Sequence, residues 1–409
     1  NNLNNGAKNN NPNNINYYNS TNHNSSANLN NNKMQTKVFG GELFCPFTVD
    51  CSGNRPAPRF GHSLTMLNSV KVCLFGGAVG ETRKIIYSNE TFIYNIMTKI
   101  WIKLQTDPKT SPPERAAHAA AANNNNEMAI YGGSSNNGGL ADDRLWILSL
   151  NNQNEGIWKE CQVNGNTPGQ RYGHSLSFMN PYFVLFGGNF NPNLTNEVWI
   201  INIKINPSEW QRIPLNANLS PCARLYHSCG ICESGNCAGM MIIFGGRDAN
   251  EKPLNDIWGL TRHRDGSWSW SKAELKNDYQ MKARFNHSMI FCNSLMIILG
   301  GRGLYQGGSG HILPIEVFNT ETNDAFEFQG ISMNRQTNFI YESNVFLFGG
   351  FDSKNQQRPL GNLFRVPLEK LFENNIELKN AIGDKINNNK LIKINNTNKN
   401  LGNQNKKMQ

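Results

Sequence analysis

The amino-acid sequence predicts an all-β protein, a six-bladed β-propeller with four antiparallel strands in each blade. Three observations carry that prediction. A hydrophobic stretch ending in Gly-Gly occurs six times: VCLFGG at 72–77, MAIYGG at 128–133, FVLFGG at 183–188, MIIFGG at 241–246, MIILGG at 296–301 and VFLFGG at 345–350. An arginine motif precedes each: RFGHS at 59, RAAHA at 115, RYGHS at 171, RLYHS at 224, RFNHS at 284 and RQTNF at 335, the last keeping the arginine and losing the histidine. A short strand follows each glycine pair, and in five copies an aromatic strand comes next, carrying Trp101, Trp158, Trp210, Trp270 and Phe326 or Phe328. A period of about fifty residues marks units that each bury a face against the next.

Each unit then reads in order. The arginine motif opens the innermost strand, and the stretch before the glycine pair is the second. The glycines end it where the chain turns sharply and passes close to its neighbours, a conformation that excludes Cβ. Segments such as ETFIYNI, NEVWIINI and NDIWGL form the third strand, and the tryptophan strand is the fourth. These segments are rich in β-branched and aromatic residues and are separated by Gly, Pro and Asn turns. A tryptophan on the fourth strand is placed to fill the gap between successive blades.

The sixth unit lacks a fourth strand after NLFRVPL, and GELFCPFTVD at 41–50 supplies one. Phe44 lies ahead of Arg59 much as Trp101 lies ahead of Arg115. Residues 42–49 are therefore expected as the outer strand of the last blade, closing the ring and removing two sheet edges.

Composition divides the chain into three parts: an Asn-rich segment at 1–38, the propeller at 39–368 and an Asn/Lys-rich linker or tail at 369–409. Asparagine fills 17 of the first 32 positions. Such tracts bury too little apolar surface to offset chain entropy and are expected to be disordered. The chain carries a net charge of +9, but three lysines without an acid before residue 39 and eight lysines against three acids after 369 leave only +1 for the propeller. That distribution argues against nucleic-acid binding. No apolar run is long enough for a membrane helix. Nine cysteines without framework spacing fit reduced thiols in a cytoplasmic protein; the propeller is expected to be monomeric.

Two chemical motifs dissolve into the repeat. Cys229, Cys232 and Cys237 offer three thiols, one short of a structural zinc site, and the upstream Cys222 would have to reach across the turn at Arg224 to be the fourth. The three lie in a hairpin of the fourth unit lengthened by four or five residues, expected on the face away from the arginines. HRD at 263–265 has no kinase context, and Asp265-Gly266 reads as a hairpin turn.

The glycine doublets, spaced aromatics and repeat period resemble Kelch repeats over residues 39–368. PAPRFGHSLTML, KVCLFGGAVGET and LNDIWGLTRHRDGSWSW are similar to the Kelch region of the serine/threonine phosphatases with Kelch-like domains, and the Asn-rich tails to low-complexity segments of malaria-parasite proteins. The resemblance implies a module that binds an acidic or phosphorylated protein segment and targets a phosphatase domain. The GDxHG, GDxVDRG and GNHE motifs of that domain are absent, so its two divalent metals are expected only outside this chain and no cofactor within it. It further implies that Arg59, Arg115, Arg171, Arg224, Arg284 and Arg335 line one channel mouth and contact the ligand. The alternative is that each pairs with a carboxylate or carbonyl inside the fold. Loop residues on the same mouth, among them Arg83, Arg247, Arg302 and Arg358, join the partner-binding set. His62, His118, His174, His227 and His287 are expected to bond backbone turns between blades. Other readings are a stand-alone Kelch scaffold of the cytoskeletal or ubiquitin-ligase adaptor type, or a propeller enzyme, for which no ligand set stands out.

Overall fold

The computed structural model describes residues 43–383 except 82–83, 137, 152–154, 191, 277–278 and 304–311. The described residues are almost entirely β, and six antiparallel meanders dominate them. Their innermost strands are Ser63–Met66, Ala119–Ala122, Ser175–Met179, Ser228–Ile231, Ser288–Cys292 and Thr337–Tyr341. Each pairs with the strand that ends in the glycine doublet, as Ser63 does with Phe75 and Ser288 with Leu299. Third and fourth strands complete each meander, Val198–Ile201 and Ser208–Ile213 in the third. In the sixth sheet the outermost strand is Phe47–Thr48, with Phe47 opposite Arg365 and Thr48 opposite Phe364.

The second strands are the heart of each sheet. Met128–Tyr131 and Leu295–Leu299 are buried along their whole length. Both faces of such a strand meet protein, so it reads as a continuous apolar run instead of an alternating one. The fourth-strand tryptophans fill the seams between sheets. Trp158 packs on Phe75, Trp210 on Tyr131 and Trp270 on Phe186, each reaching the second strand of the preceding sheet. Trp101 makes the same contact with Phe348 of the sixth sheet, at 5.5 Å between ring centroids.

The glycine pair performs a defined task. Gly77 donates its N–H to the carbonyl of Arg115, and Gly133 does the same to Arg171. Both lie in the left-handed region, and a Cβ at Gly76 would sit 2.8 Å from the Arg115 carbonyl. Close backbone approach between neighbouring repeats therefore requires glycine here.

The boundary expected at residue 368 falls too early. Leu368–Leu371 is helical, residues 376–383 form a second helix of about two turns, and Phe372, Leu378 and Ile382 are buried. They join Cys292, Leu295 and Val317 in one apolar cluster, and Asn293 Nδ2 donates to the Ala381 carbonyl at 2.7 Å. A few apolar side chains at helical spacing suffice to dock a segment whose average composition is polar. Residues 1–42 and 384–409 lie outside the described residues. No helix among the described residues is long and apolar enough to cross a membrane.

Candidate functional site

The glycine-to-carbonyl bonds fix the repeat register, and the sixth repeat departs from its expected alignment. Gly301 donates to the carbonyl of Met333, so Met333 stands where the other repeats place arginine. Arg335 falls two positions later, aligned with Gly61, Ala117, Gly173, Tyr226 and Asn286. All six of these have positive φ. The spacing to the glycine pair carried this information. Gln336 precedes Gly349 by the same interval that separates His287 from Gly300.

The five true repeat arginines do not face a ligand. Arg59, Arg115, Arg171, Arg224 and Arg284 are at most 1% exposed. Arg59 donates to Glu90 at 2.8 Å and to the Gly76 carbonyl at 2.9 Å. Arg115 pairs with Asp142 at 2.8 Å, Arg171 with Glu197 at 3.4 Å, and Arg284 with Glu316 at 2.5 Å. Arg224 makes a two-pronged contact with Asp256 at 2.7 and 2.8 Å. This corrects the expectation of a six-arginine mouth. Each guanidinium ties the start of the innermost strand to the start of the third and to the glycine turn. Burial pushes Glu90, Asp142 and Asp256 upward, yet their cationic partners outweigh it and hold all three below the usual carboxylate range. At Glu316, which is wholly buried, desolvation prevails over Arg284 and the pKa is raised. The sequence contained the signal: an acid opens the third strand wherever an arginine opens the first. In the sixth repeat both are replaced, by Met333 and Asn362.

The histidines are structural by a different route than expected. Each bonds a hydroxyl of the preceding repeat instead of a turn: His118 to Ser63, His227 to Ser175, His287 to Ser228 and His62 to Thr337. Gln336 replaces the sixth histidine and donates to Ser288 at 3.1 Å. His174 is the exception. Its Nε2 has no partner among the described residues, because Ala119 occupies the hydroxyl position. Burial, reinforced by the nearby arginines, depresses all five histidines, His118 and His227 to about 3.

The left-handed residues form a collar where the innermost strands begin. Ala117, Gly173, Tyr226, Asn286 and Arg335 each donate a backbone N–H to the carbonyl of the same position one repeat earlier. Beside them lie the residues that follow each glycine pair: Ala78, Ser134, Asn189, Arg247, Arg302 and Phe351. These pair with the inner-strand starts, as Arg247 does with Leu225 and Arg302 with Phe285. Arg335 stacks on Phe60 at 5.4 Å and Arg247 on Phe285 at 5.6 Å, while Phe60 also contacts Phe351. Tyr226 packs against Tyr172. Burial pushes Tyr226 up to about 12, with Arg335 and Arg247 both close enough to oppose the shift. Of the other loop residues, Arg358 is exposed and bridges to Glu81 at 2.7 Å, whereas Arg83 lies outside the described residues.

The cysteine segment sits at the opposite end of its sheet. Cys232 contacts Thr320 of the next repeat at 3.6 Å, and Gly235 lies against Glu321. His263, Arg264 and Asp265 form a hairpin turn between Ile257–Arg262 and Trp268–Lys272.

A model of the KLHDC2/KLHL20/DRC7 Kelch-repeats domain matches residues 45–238 and 183–370. Over 165 residues the chain is 32% identical to serine/threonine-protein phosphatase BSL2 of Arabidopsis thaliana, covering 40% of this chain and 15% of that protein. It is 28% identical over 169 residues to an F-box/kelch-repeat protein of the same plant, covering 40% of this chain and 34% of the relative. Tip elongation aberrant protein 1 of Schizosaccharomyces pombe is 22% identical over 206 residues, covering 49% of this chain and 17% of that protein. The chain thus spans about a third or less of the length of these relatives.

Proposed function

The chain belongs to the Kelch-repeats domain family, and on that premise we propose that it is an interaction module capturing an acidic or phosphorylated protein segment at the mouth around Arg247, Arg302 and Arg335. The observation that carries this reading is Arg335. Among the described residues it has no ion pair, although it is half-buried and held over Phe60. A partly desolvated guanidinium braced by an aromatic ring favours an incoming anion.

The six sheets are, in this reading, blades of one closed ring completed by Phe47–Thr48. Trp101 on Phe348 and the 2.6 Å bond between His62 and Thr337, both joining the first sheet to the sixth, support that closure. The similarity to BSL2 supports a regulatory role in which the module brings a phosphatase catalytic domain to the captured segment. All nine cysteines are free thiols, which favours a reducing, cytoplasmic setting.

Fluorescence anisotropy with a labelled acidic peptide tests the reading. Arg247→Glu is expected to weaken capture at least about tenfold, with the melting temperature unchanged. Capture by the variant equal to wild type would overturn it.

A further inference from the structure

The mouth has two unlike halves. Following the glycine pairs, repeats one to three carry Ala78, Ser134 and Asn189, whereas repeats four to six carry Arg247, Arg302 and Phe351. At the left-handed position the first three carry Gly61, Ala117 and Gly173, and the last three carry Tyr226, Asn286 and Arg335. Ala117 shows that a Cβ is tolerated there. Long side chains at left-handed tyrosine and arginine nevertheless cost strain that glycine avoids. The large residues therefore cluster, against backbone preference, on one side.

We infer that the half-mouth formed by Arg247, Asn286, Arg335 and Tyr226 is a phosphate-binding site that prefers a phosphomonoester to a carboxylate. This rests on the mouth being the partner site.

The donor set points that way. Asn286 is 9% exposed and its Nδ2 has no acceptor among the described residues. The buried Arg247 Nε has none either. Arg335 has no ion pair there, and Tyr226 keeps its phenolic proton near neutral pH. The acids nearby do not fill this demand. Glu251 touches Arg247 only through Nη1, at 3.5 Å, and is itself exposed. Asp248 accepts from the backbone of Asn250 and Lys252, and Asp352 from Ser332 and Lys354. A carboxylate offers two oxygens in one plane. Two guanidiniums from different repeats, an amide and a phenol instead suit three oxygens spread tetrahedrally and a charge near −2.

The test compares binding of the full 409-residue chain to short random-flank peptides centred on phosphoserine, on Glu and on Ser. The phosphoserine set is expected to bind at least about tenfold tighter than the Glu set. Arg335→Gly and Asn286→Gly keep the left-handed backbone, so both should melt no lower than wild type while losing that preference. Equal binding of the phosphoserine and Glu sets overturns the phosphate site and leaves the acidic-segment reading standing. Binding of neither set overturns both. Undiminished preference in both glycine variants overturns the assignment to this half of the mouth.

Discussion

His118 Nε2 lies 3.0 Å from Ser63 Oγ, one repeat back, and the same bond joins His227 to Ser175, His287 to Ser228 and His62 to Thr337. The one histidine without it, His174, follows a repeat whose equivalent residue is Ala119. Ala119→Ser should supply the hydroxyl and raise stability by about 1 kcal/mol. Chemical denaturation should show a higher midpoint at unchanged slope. The gain should vanish in a His174→Ala background.

The buried arginine pairs should behave as units. Arg224→Met alone strands Asp256 without its cation and should cost about 3–5 kcal/mol. Adding Asp256→Asn should recover more than half of that loss, because Met333 and Asn362 already form the sixth repeat this way. Equilibrium unfolding of the two single variants and the double variant measures the coupling.

The first and last sheets touch through Trp101 on Phe348 and His62 on Thr337, so each should depend on the other. Trp101 is 2% exposed and packs across that seam, so Trp101→Ala should cost about 3–5 kcal/mol. Removing residues 39–50 should lower the melting temperature sharply as well, since Phe47–Thr48 then leaves Leu363–Pro367 an open edge. Differential scanning calorimetry checks both.

Acid should unfold the protein steeply. The five repeat histidines are depressed in the folded state, so they stay neutral there while the unfolded chain protonates near its ordinary value of about 6.5. Unfolding then takes up as many as about five protons, and stability falls steeply as pH drops from about 6 toward 4. Glu316, whose pKa is raised, offsets part of one proton. At lower pH, protonation of Glu90, Asp142 and Asp256 removes their arginine pairings as well. Melting curves across this range, with potentiometric proton uptake, test the count.

Local pattern alone determined a great deal. Six glycine doublets, the histidine positions and the fourth-strand tryptophans set strand order and repeat number, because each answers to constraints within one repeat and its neighbour. The sequence also presents the acids that open the third strands. Their pairing with the arginines needed three dimensions, since Arg59 and Glu90 meet only after the chain has turned twice. Matching by residue type placed Arg335 in the wrong company, although the spacing to the glycine pair already held the correct alignment. Its true position emerged from the backbone bonds of Gly301 and Asn286, which align the sixth repeat by geometry instead of residue type. The helical cap at 368–383 was hidden by its asparagines and lysines until its few apolar side chains had a surface to meet. What only the tertiary structure decided is which charges are spent inside the fold. Burial against a carboxylate ties five arginines into the fold, whereas Arg335 has no such pairing among the described residues.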